Sequence, residues 1–286
     1  MRRSNFNIDS LSEEDVREIR NEVNRRLGQY NKTNQIIKED IFKILEMNCN
    51  VIYFPIEDDE ICGFLFQYRD KKFVYINTYI PYEKQVFVAA HELYHIWNSD
   101  IRDGELLKID VIEGNSSSED SYEYEEDKAN RFGAEFLVPR NVLINELELR
   151  NIDKGKIDLR EIVELMDVFL VPYKTIVRRL YEIKYITTHI CSELLKEPDR
   201  EENAGVMLWQ KRLEVGSRNN ERTKRIKLNN LVDLSLKLFE KKLITYDKLE
   251  YLLGLSKYSP KDFNILRNEE TLPSEDELLK LMEEED

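Results

Sequence analysis

At residues 86–95 the chain reads VFVAAHELYH, and this stretch is the strongest indication of its fold. It holds two of the chain's three histidines, His91 and His95, in the pattern His-Glu-x-x-His. Because residues i and i+4 lie on one face of a helix, both imidazoles can hold one zinc ion at about 2.0–2.1 Å. Glu92 lies one step round the helix, where it is badly placed as a ligand but can take a proton from water. The pattern predicts a zinc peptidase with Glu92 as its catalytic base.

The residues before the histidines indicate that this helix is buried. Pro81 precedes the apolar run 86–90, and proline is tolerated in the first turn of a helix because its missing N–H is not needed there. We therefore expect a buried helix from about Pro81 to Trp97. The alternative is an ordinary amphipathic helix with both histidines in solvent, and the apolar run argues against it.

Helical and strand-like patterns on both sides of the motif predict an α+β fold. Apolar residues recur at helical spacing before it, and three runs rich in Val, Ile, Tyr and Phe lead into it. We expect a small antiparallel sheet, arranged as a meander, and a mostly helical C-terminal region. The predicted helices cover about 13–30, 38–47, 119–138, 141–150, 159–169, 173–183, 231–242 and 246–253, the predicted strands cover 51–56, 61–69 and 73–80, and 99–118 is predicted to be irregular.

Composition limits the classes of function. The chain has 286 residues, is 41% hydrophobic and carries a net charge of −14, which fits a globular protein and argues against broad nucleic-acid binding. No apolar run approaches the roughly 20 residues of a membrane span, and no export signal is read at the start. Cys49, Cys62 and Cys191 form no CxxC pair. We expect free thiols, a cytoplasmic location and no membrane contact.

The character of the sequence changes past His189. We expect a catalytic domain at 1–190, with a helix-turn-helix-like segment at about 158–185, then a charged linker or extension at 191–228. Between Leu208 and Leu228 seven Lys and Arg residues face only two glutamates, which indicates either a solvated surface or a docking surface. Residues 229–286 are predicted to form a helical C-terminal module with an acidic tail.

The third zinc ligand does not follow from the first motif. The extended pattern HExxHxxGxxH fails, because Asn98 and Ile101 stand where its glycine and histidine would be. His189 is remote in sequence and is more often a structural residue. Carboxylates remain, and six of them crowd residues 119–127, where composition singles out no member.

Spacing favours one of these acids. Glu126 and Asn130 are four residues apart, so they share one face of the predicted helix. In that arrangement Glu126 can reach the metal while Asn130 hydrogen-bonds a ligand histidine and fixes its ring. Gly133 and Ala134, about one turn further on, would let this helix pack closely on the histidine helix.

Two linked stretches resemble the ImmA/IrrE metallopeptidase family. Residues 88–95 read VAAHELYH and residues 126–139 read EDKANRFGAEFLVP, whereas the family typically shows HExxH followed by E-x-x-A-N-x-F-A-A-x-L-L-x-P. The departures at Gly133, Phe136 and Val138 are small or apolar exchanges that leave the ligands intact. Residues 168–180 also resemble the helix-turn-helix-like end of that domain, so the resemblance covers about 10–190.

The resemblance implies a zincin-like, gluzincin-type endopeptidase with Zn²⁺ as its cofactor. His91, His95 and Glu126 would be the metal ligands, Glu92 the base and Asn130 the residue behind a ligand. It further implies a protein substrate such as a helix-turn-helix transcriptional repressor, within a mobile-element, stress-response or toxin/defence module. Of the tyrosines that could stabilise the oxyanion, the sequence leaves Tyr94, Tyr122, Tyr124 and Tyr173 as alternatives, each more often structural.

Two other classes of function compete with the peptidase. One is a metal-binding regulatory protein that holds a protein partner without cleaving it, against which the presence of Glu92 argues. The other is a DNA-binding regulator that uses the segment at 158–185, where acidic residues offset the basic ones.

Overall fold

The fold is mixed α+β. A computed structural model of the chain describes residues 11–69, 71–98 and 120–267, and of residues 120–123 the backbone alone. The predicted irregular stretch at 99–118 and the acidic tail lie outside the described residues. Within those residues the helices are α1 (Glu13–Gln29), α2 (Asp40–Asn48), α3 (Tyr82–Asn98), α4 (Asp120–Leu137), α5 (Arg140–Leu149), α6 (Leu159–Phe169), α7 (Tyr173–Glu182), α8 (Thr188–Leu194), α9 (Gly205–Leu213), α10 (Leu231–Glu240) and α11 (Tyr246–Gly254), and the strands are β1 (Asn50–Phe54), β2 (Gly63–Tyr68), β3 (Lys71–Asn77) and β4 (Lys227–Leu228).

The sheet is mixed, so the predicted antiparallel meander is wrong. Its strand order is β2-β3-β1-β4, and β1 runs parallel to β3 while β2 and β4 are antiparallel to their neighbours. In a meander a tight turn would place β2 directly beside β1. Here residues 55–62 form a longer connection, and β3 rather than β2 lies beside β1. The buried side chain of Asn77 holds that connection by donating to the carbonyls of Ile56, Asp58 and Ile61 at 2.9, 2.9 and 2.7 Å.

The core lies between the sheet and the long helices. α3 packs on β2 and β3, and α4 packs on α3. Alternate residues of β1 and β2, such as Val51 and Leu65, are buried, as the two-residue period of a strand predicts, whereas 74–77 of the inner strand β3 are all buried. On α3 every residue from Val86 to Ile96 is buried, which places the His-Glu-x-x-His residues inside the protein and not on its surface.

The helix-turn-helix-like segment consists of α6 and α7, joined by a short turn. Asp158 caps α6 in a capping box with Glu161, and Leu170 ends it in a left-handed conformation with φ of 56°. Pro172 then stands directly before α7.

The chain divides into two compact units, Met1–Asn229 and Asn230–Asp286. Residues 191–228, predicted to be a charged linker or extension, contain α9 and the strand β4, which pairs with β1. Neither α9 nor β4 was predicted from the sequence. The second unit contains α10, α11 and a 3-10 helix at Pro260–Phe263. Within the described residues, no helix is both long and apolar enough to cross a membrane.

Candidate metal centre

Helix α3 brings two imidazoles together. His91 and His95 are each 4% exposed, and their Nε2 atoms lie 3.1 Å apart. The four-residue spacing puts the rings on one face of α3. That face is buried against α4, so neither ring lies in solvent. The pair is thus fixed by helix geometry before any metal binds.

Helix α4 adds a carboxylate to the pair. The two carboxylate oxygens of Glu126 lie 3.2 Å from His91 Nε2 and 3.4 Å from His95 Nε2. This approach depends on Gly133, two turns further along α4, because a Cβ built there would lie only 3.2 Å from the backbone nitrogen of His91. Because Gly133 has no side chain, the two helices come close enough to share a site.

The three side chains fit a zinc ion. Ligands about 2.0–2.1 Å from a tetrahedral zinc lie about 3.3 Å from one another, and the observed separations are 3.1, 3.2 and 3.4 Å. Two imidazole nitrogens and a carboxylate oxygen are a donor set that zinc prefers, and three protein ligands leave a fourth position open. Within the described residues this is the one cluster of three or more His, Cys, Asp or Glu that could hold a metal.

Asn130 lies behind one of the histidines. Its Oδ1 is 3.1 Å from Nδ1 of His91, as the spacing of Glu126 and Asn130 predicts. With the ring proton on Nδ1, His91 donates to Asn130 and keeps the lone pair of Nε2 for a metal. Such a contact fixes both the tautomer and the ring orientation of a ligand.

The electrostatics of the cluster favour the charged form of Glu126. Burial raises the pKa of this carboxyl, but when His91 and His95 are protonated, their hydrogen bonds and positive charges outweigh burial and hold the pKa well below its usual range. Glu126 is therefore an anion at neutral pH, which is the form that binds a cation.

Glu92 lies on the side of α3 that faces the sheet. It is 1% exposed, and a Cβ built at Gly63, where β2 begins, would lie 3.7 Å from its Oε1. Burial raises the pKa of the Cys49 thiol to about 12, and the nearby charge of Glu92 adds to that rise. Glu92 is thus a buried carboxylate beside the edge strand and is not one of the three clustered ligands.

The other sequence candidates do not join the cluster. His189 is exposed on α8 and lies outside the metal-binding group. The hydroxyls of Tyr94, Tyr124 and Tyr173 donate to Glu125, Asp15 and the carbonyl of Leu194, respectively, so each is held by a hydrogen bond within the protein. The side chain of Tyr122 lies outside the described residues.

Sequence reasoning missed a hydrogen-bonded network beside the ligands. Tyr94 donates to Glu125 at 3.1 Å, and Lys128 lies 3.1 Å from both Glu125 and Asp15. These residues tie α1 to the metal-binding helices and hold Tyr94, whose ring stands edge-on to that of His95. No spacing rule could have found the network, since its members lie on three separate helices.

One comparison with known proteins found a match, which covers the candidate site. Residues 45–181 match the family model for peptidase M78, described as the IrrE N-terminal-like domain. The matched segment contains strands β1 to β3 and all three members of the cluster. A search of curated proteins and a search of solved structures each found no match.

Proposed function

Residues 45–181 form an IrrE N-terminal-like domain of the peptidase M78 family, and from this premise we propose that the protein is a zinc-dependent endopeptidase. The observation that carries the proposal is the cluster of His91, His95 and Glu126, with its donor atoms at tetrahedral spacing. In the proposal these three residues hold Zn²⁺, Glu92 is the catalytic base and Asn130 orients His91.

The chemistry divides between the ion and the chain's own residues. A zinc ion held by His91, His95 and Glu126 would lower the pKa of a bound water toward about 7 and would polarise the scissile carbonyl. Glu92 takes the proton of the attacking water and passes it to the leaving amine. Its burial beside Gly63 suits that task, since a carboxylate shielded from bulk water holds one defined position near the edge strand.

The proposed substrate is a regulatory protein, such as a helix-turn-helix transcriptional repressor, in a mobile-element, stress-response or toxin/defence module. Support for this class comes from the family resemblance of residues 88–95 and 126–139. A cytoplasmic location belongs to the same proposal. It is supported by the three cysteines, all within the described ranges and none in a disulfide.

Metal analysis tests the ligand set. Purified wild-type protein is expected to hold about one zinc per chain, and His91→Ala, His95→Ala and Glu126→Ala are expected to lose it. Glu125→Ala is the matched control, because Glu125 neighbours Glu126 but contacts Tyr94 and Lys128. Full zinc in Glu126→Ala together with loss in Glu125→Ala would show that the third ligand is misassigned.

A Glu92→Gln variant tests the chemistry. It is expected to keep its fold and its zinc but to lose cleavage by about 10²-fold or more, because an amide cannot accept the proton of water. Exposed Glu18 on α1 gives the control exchange, Glu18→Gln. The slow variant can also retain the substrate, so affinity purification with Glu92→Gln identifies it. Unchanged turnover in Glu92→Gln would exclude the mechanism.

The alternative is a metal-binding regulatory protein without peptidase activity, acting on a protein partner or on DNA. Burial of α7 argues against DNA as the partner: Thr175, Ile176, Val177 and Arg179 are all buried, and the outer side of the helix is only partly exposed, which leaves little surface for a groove. Lys174, at its start, lies 3.7 Å from Asp199. A regulatory protein that only binds would act equally well as Glu92→Gln, which separates the two functions.

A further inference from the structure

Residues 199–228, which we call the strap, lie wholly outside the matched segment 45–181. They run past the start of α3, the helix that carries both candidate histidine ligands. Parts of the strap are as buried as the core, since Val206, Gln210 and Asn219 are 1%, 3% and 0% exposed. A segment packed this tightly belongs to the fold of the first unit.

The strap caps the first turn of α3. The backbone N–H of Glu83 donates to the carbonyl of Asn219 at 3.1 Å, which satisfies one of the amide groups that a helix start leaves without a partner. The buried carboxylate of Glu83 accepts from Asn219 Nδ2 at 3.0 Å and from Arg200 at 2.6 Å. Asn219 Nδ2 also donates to the carbonyl of Met166 on α6 at 3.2 Å. Glu83, Asn219 and Arg200, which we call the latch, thus join α3, α6 and the strap, and the first two of them are buried.

Further contacts fix the turn that leads into α3. The backbone of Lys224 donates to the carbonyl of Thr78 at 2.9 Å, and the Thr78 hydroxyl donates to the carbonyl of Arg225 at 2.8 Å. Thr223 donates to Gln85, on the first turn of the helix, at 3.3 Å. The start of α3 is therefore hydrogen-bonded to the strap on both sides of Pro81.

The basic residues of the strap are used within the chain. Arg222 forms a two-point ion pair with Asp59 at 2.5 and 2.9 Å. Arg218 lies 2.8 Å from Glu39, and Lys227 lies 2.7 Å from Glu46. Three of the seven basic residues between Leu208 and Leu228 thus bind the strap to acidic side chains of the same unit.

The position of α3 matters because the metal centre is divided between two helices. His91 and His95 lie on α3, whereas Glu126 lies on α4, so a shift or rotation of α3 changes the distances between donors. Gly133 sets the approach of the helices beside His91, and the strap sets the position of the other end of α3, about two turns away.

We propose that the strap positions the metal-binding helix, and that Asn219, Glu83 and Arg200 are positioning residues for the zinc site. This inference rests on the proposed metal-binding function. It predicts that damage to the latch weakens zinc binding in protein that is still folded, although the latch touches no ligand.

The experiment uses the full chain with the variants Asn219→Ala and Glu83→Ala. Zinc affinity is measured by competition with a chromogenic chelator at a temperature where circular dichroism shows that each variant is folded. Each variant is expected to bind zinc about tenfold more weakly, the low end of the loss caused by removing an outer-shell partner. Glu83→Gln keeps the shape of Glu83 and one of its two acceptor oxygens, so it is expected to bind zinc more tightly than Glu83→Ala.

Lys227→Ala is the control, because it removes a strap ion pair that lies on α2 and not on α3. It is expected to keep wild-type zinc affinity. If Asn219→Ala and Glu83→Ala melt at lower temperature but bind zinc as tightly as the wild type, the latch is merely structural and the proposal is wrong. If either variant does not fold, Thr223→Val and Glu83→Gln decide the question by the same measurement.

Amide hydrogen exchange separates this proposal from the proposed function. In metal-free protein, peptides from 82–98 are expected to exchange faster in Asn219→Ala than in the wild type, while peptides from α5 are unchanged. If wild-type protein binds no zinc, the metal function fails and the exchange data still decide whether the strap positions α3. Unchanged exchange over 82–98 would overturn the positioning role.

Discussion

At the scale of single residues, the candidate site depends on side chains that orient the ligands as much as on the ligands. An imidazole binds zinc through one nitrogen, so the other must carry the proton and needs an acceptor. Asn130 Oδ1 supplies that acceptor at 3.1 Å from His91 Nδ1. Without that acceptor the ring could rotate or change tautomer. Part of the free energy of metal binding would then be used to restore the orientation and the tautomer.

The first prediction follows from this contact. Asn130→Ala is expected to lower zinc affinity by about 10–100-fold, the usual cost of losing an outer-shell partner of a ligand histidine. Asn130→Asp keeps an acceptor in place and is expected to retain most of the affinity. Chelator competition measures both variants. Equal affinities for Asn130→Ala and the wild type would mean that His91 needs no support from α4.

Most of the candidate site at this scale could be predicted from the sequence. His91, His95, Glu126 and Asn130 lie on two helices with a four-residue spacing on each, and a helix converts that spacing directly into proximity. The Glu83 latch could not be predicted, because its partner Asn219 is separated from it by most of the fold and carries no periodic signal.

At the scale of elements, the approach of α3 to α4 is the controlling distance. Gly133 lies seven residues after Glu126 on α4, and a Cβ there would be 3.2 Å from His91 N and 3.5 Å from Ala90 C. One methyl group requires a shift of a few tenths of an ångström, whereas a branched side chain has no space. The size of residue 133 therefore sets the spacing of the two ligand-bearing helices.

The second prediction uses that residue. Gly133→Ala is expected to stay within about 1 kcal/mol of wild-type stability, since better helix propensity offsets the slight crowding, and to keep zinc. Gly133→Leu is expected to cost about 1–3 kcal/mol by overpacking and to weaken zinc binding by moving Glu126 away from the histidines. Denaturant unfolding and chelator competition measure the two effects. Full zinc affinity in Gly133→Leu would show that helix separation does not control the site.

Helices were predicted more accurately than the sheet, for a physical reason. The period of 3.6 residues and the proline before α3 are local features, so α3 was predicted within about a residue of its observed bounds. The parallel pairing of β1 with β3 depends instead on the long connection at 55–62 and on the buried Asn77 that holds it. β4 has only two residues, at 227–228, and is defined by its partner β1 rather than by its own sequence.

At the scale of the whole molecule, the family match and the folded unit have different bounds. The match ends at residue 181, whereas the first compact unit continues to Asn229. The residues between these two ends include the strap. Helix α9 of the strap packs on α6, and Asn219 of the strap binds Glu83. A chain cut at the end of the match would expose the apolar surface that Val206 covers and leave the Glu83 carboxylate without Asn219 and Arg200.

The last prediction concerns two truncations that differ by this segment. A chain ending at Asn229 is expected to remain soluble and to bind zinc with wild-type affinity, because all three ligands and the whole strap lie within the first unit. A chain ending at Leu195 is expected to aggregate or to bind zinc at least about tenfold more weakly, since removing a partner from a buried charge costs several kcal/mol. Solubility, far-ultraviolet circular dichroism and chelator competition distinguish the two truncated chains.

Two outcomes would contradict this prediction. If the chain ending at Leu195 is folded and binds zinc like the wild type, the matched domain supports its metal centre without the strap. If the chain ending at Asn229 also aggregates or loses zinc, the second unit is required as well, and the unit boundary at Asn229 has no functional meaning.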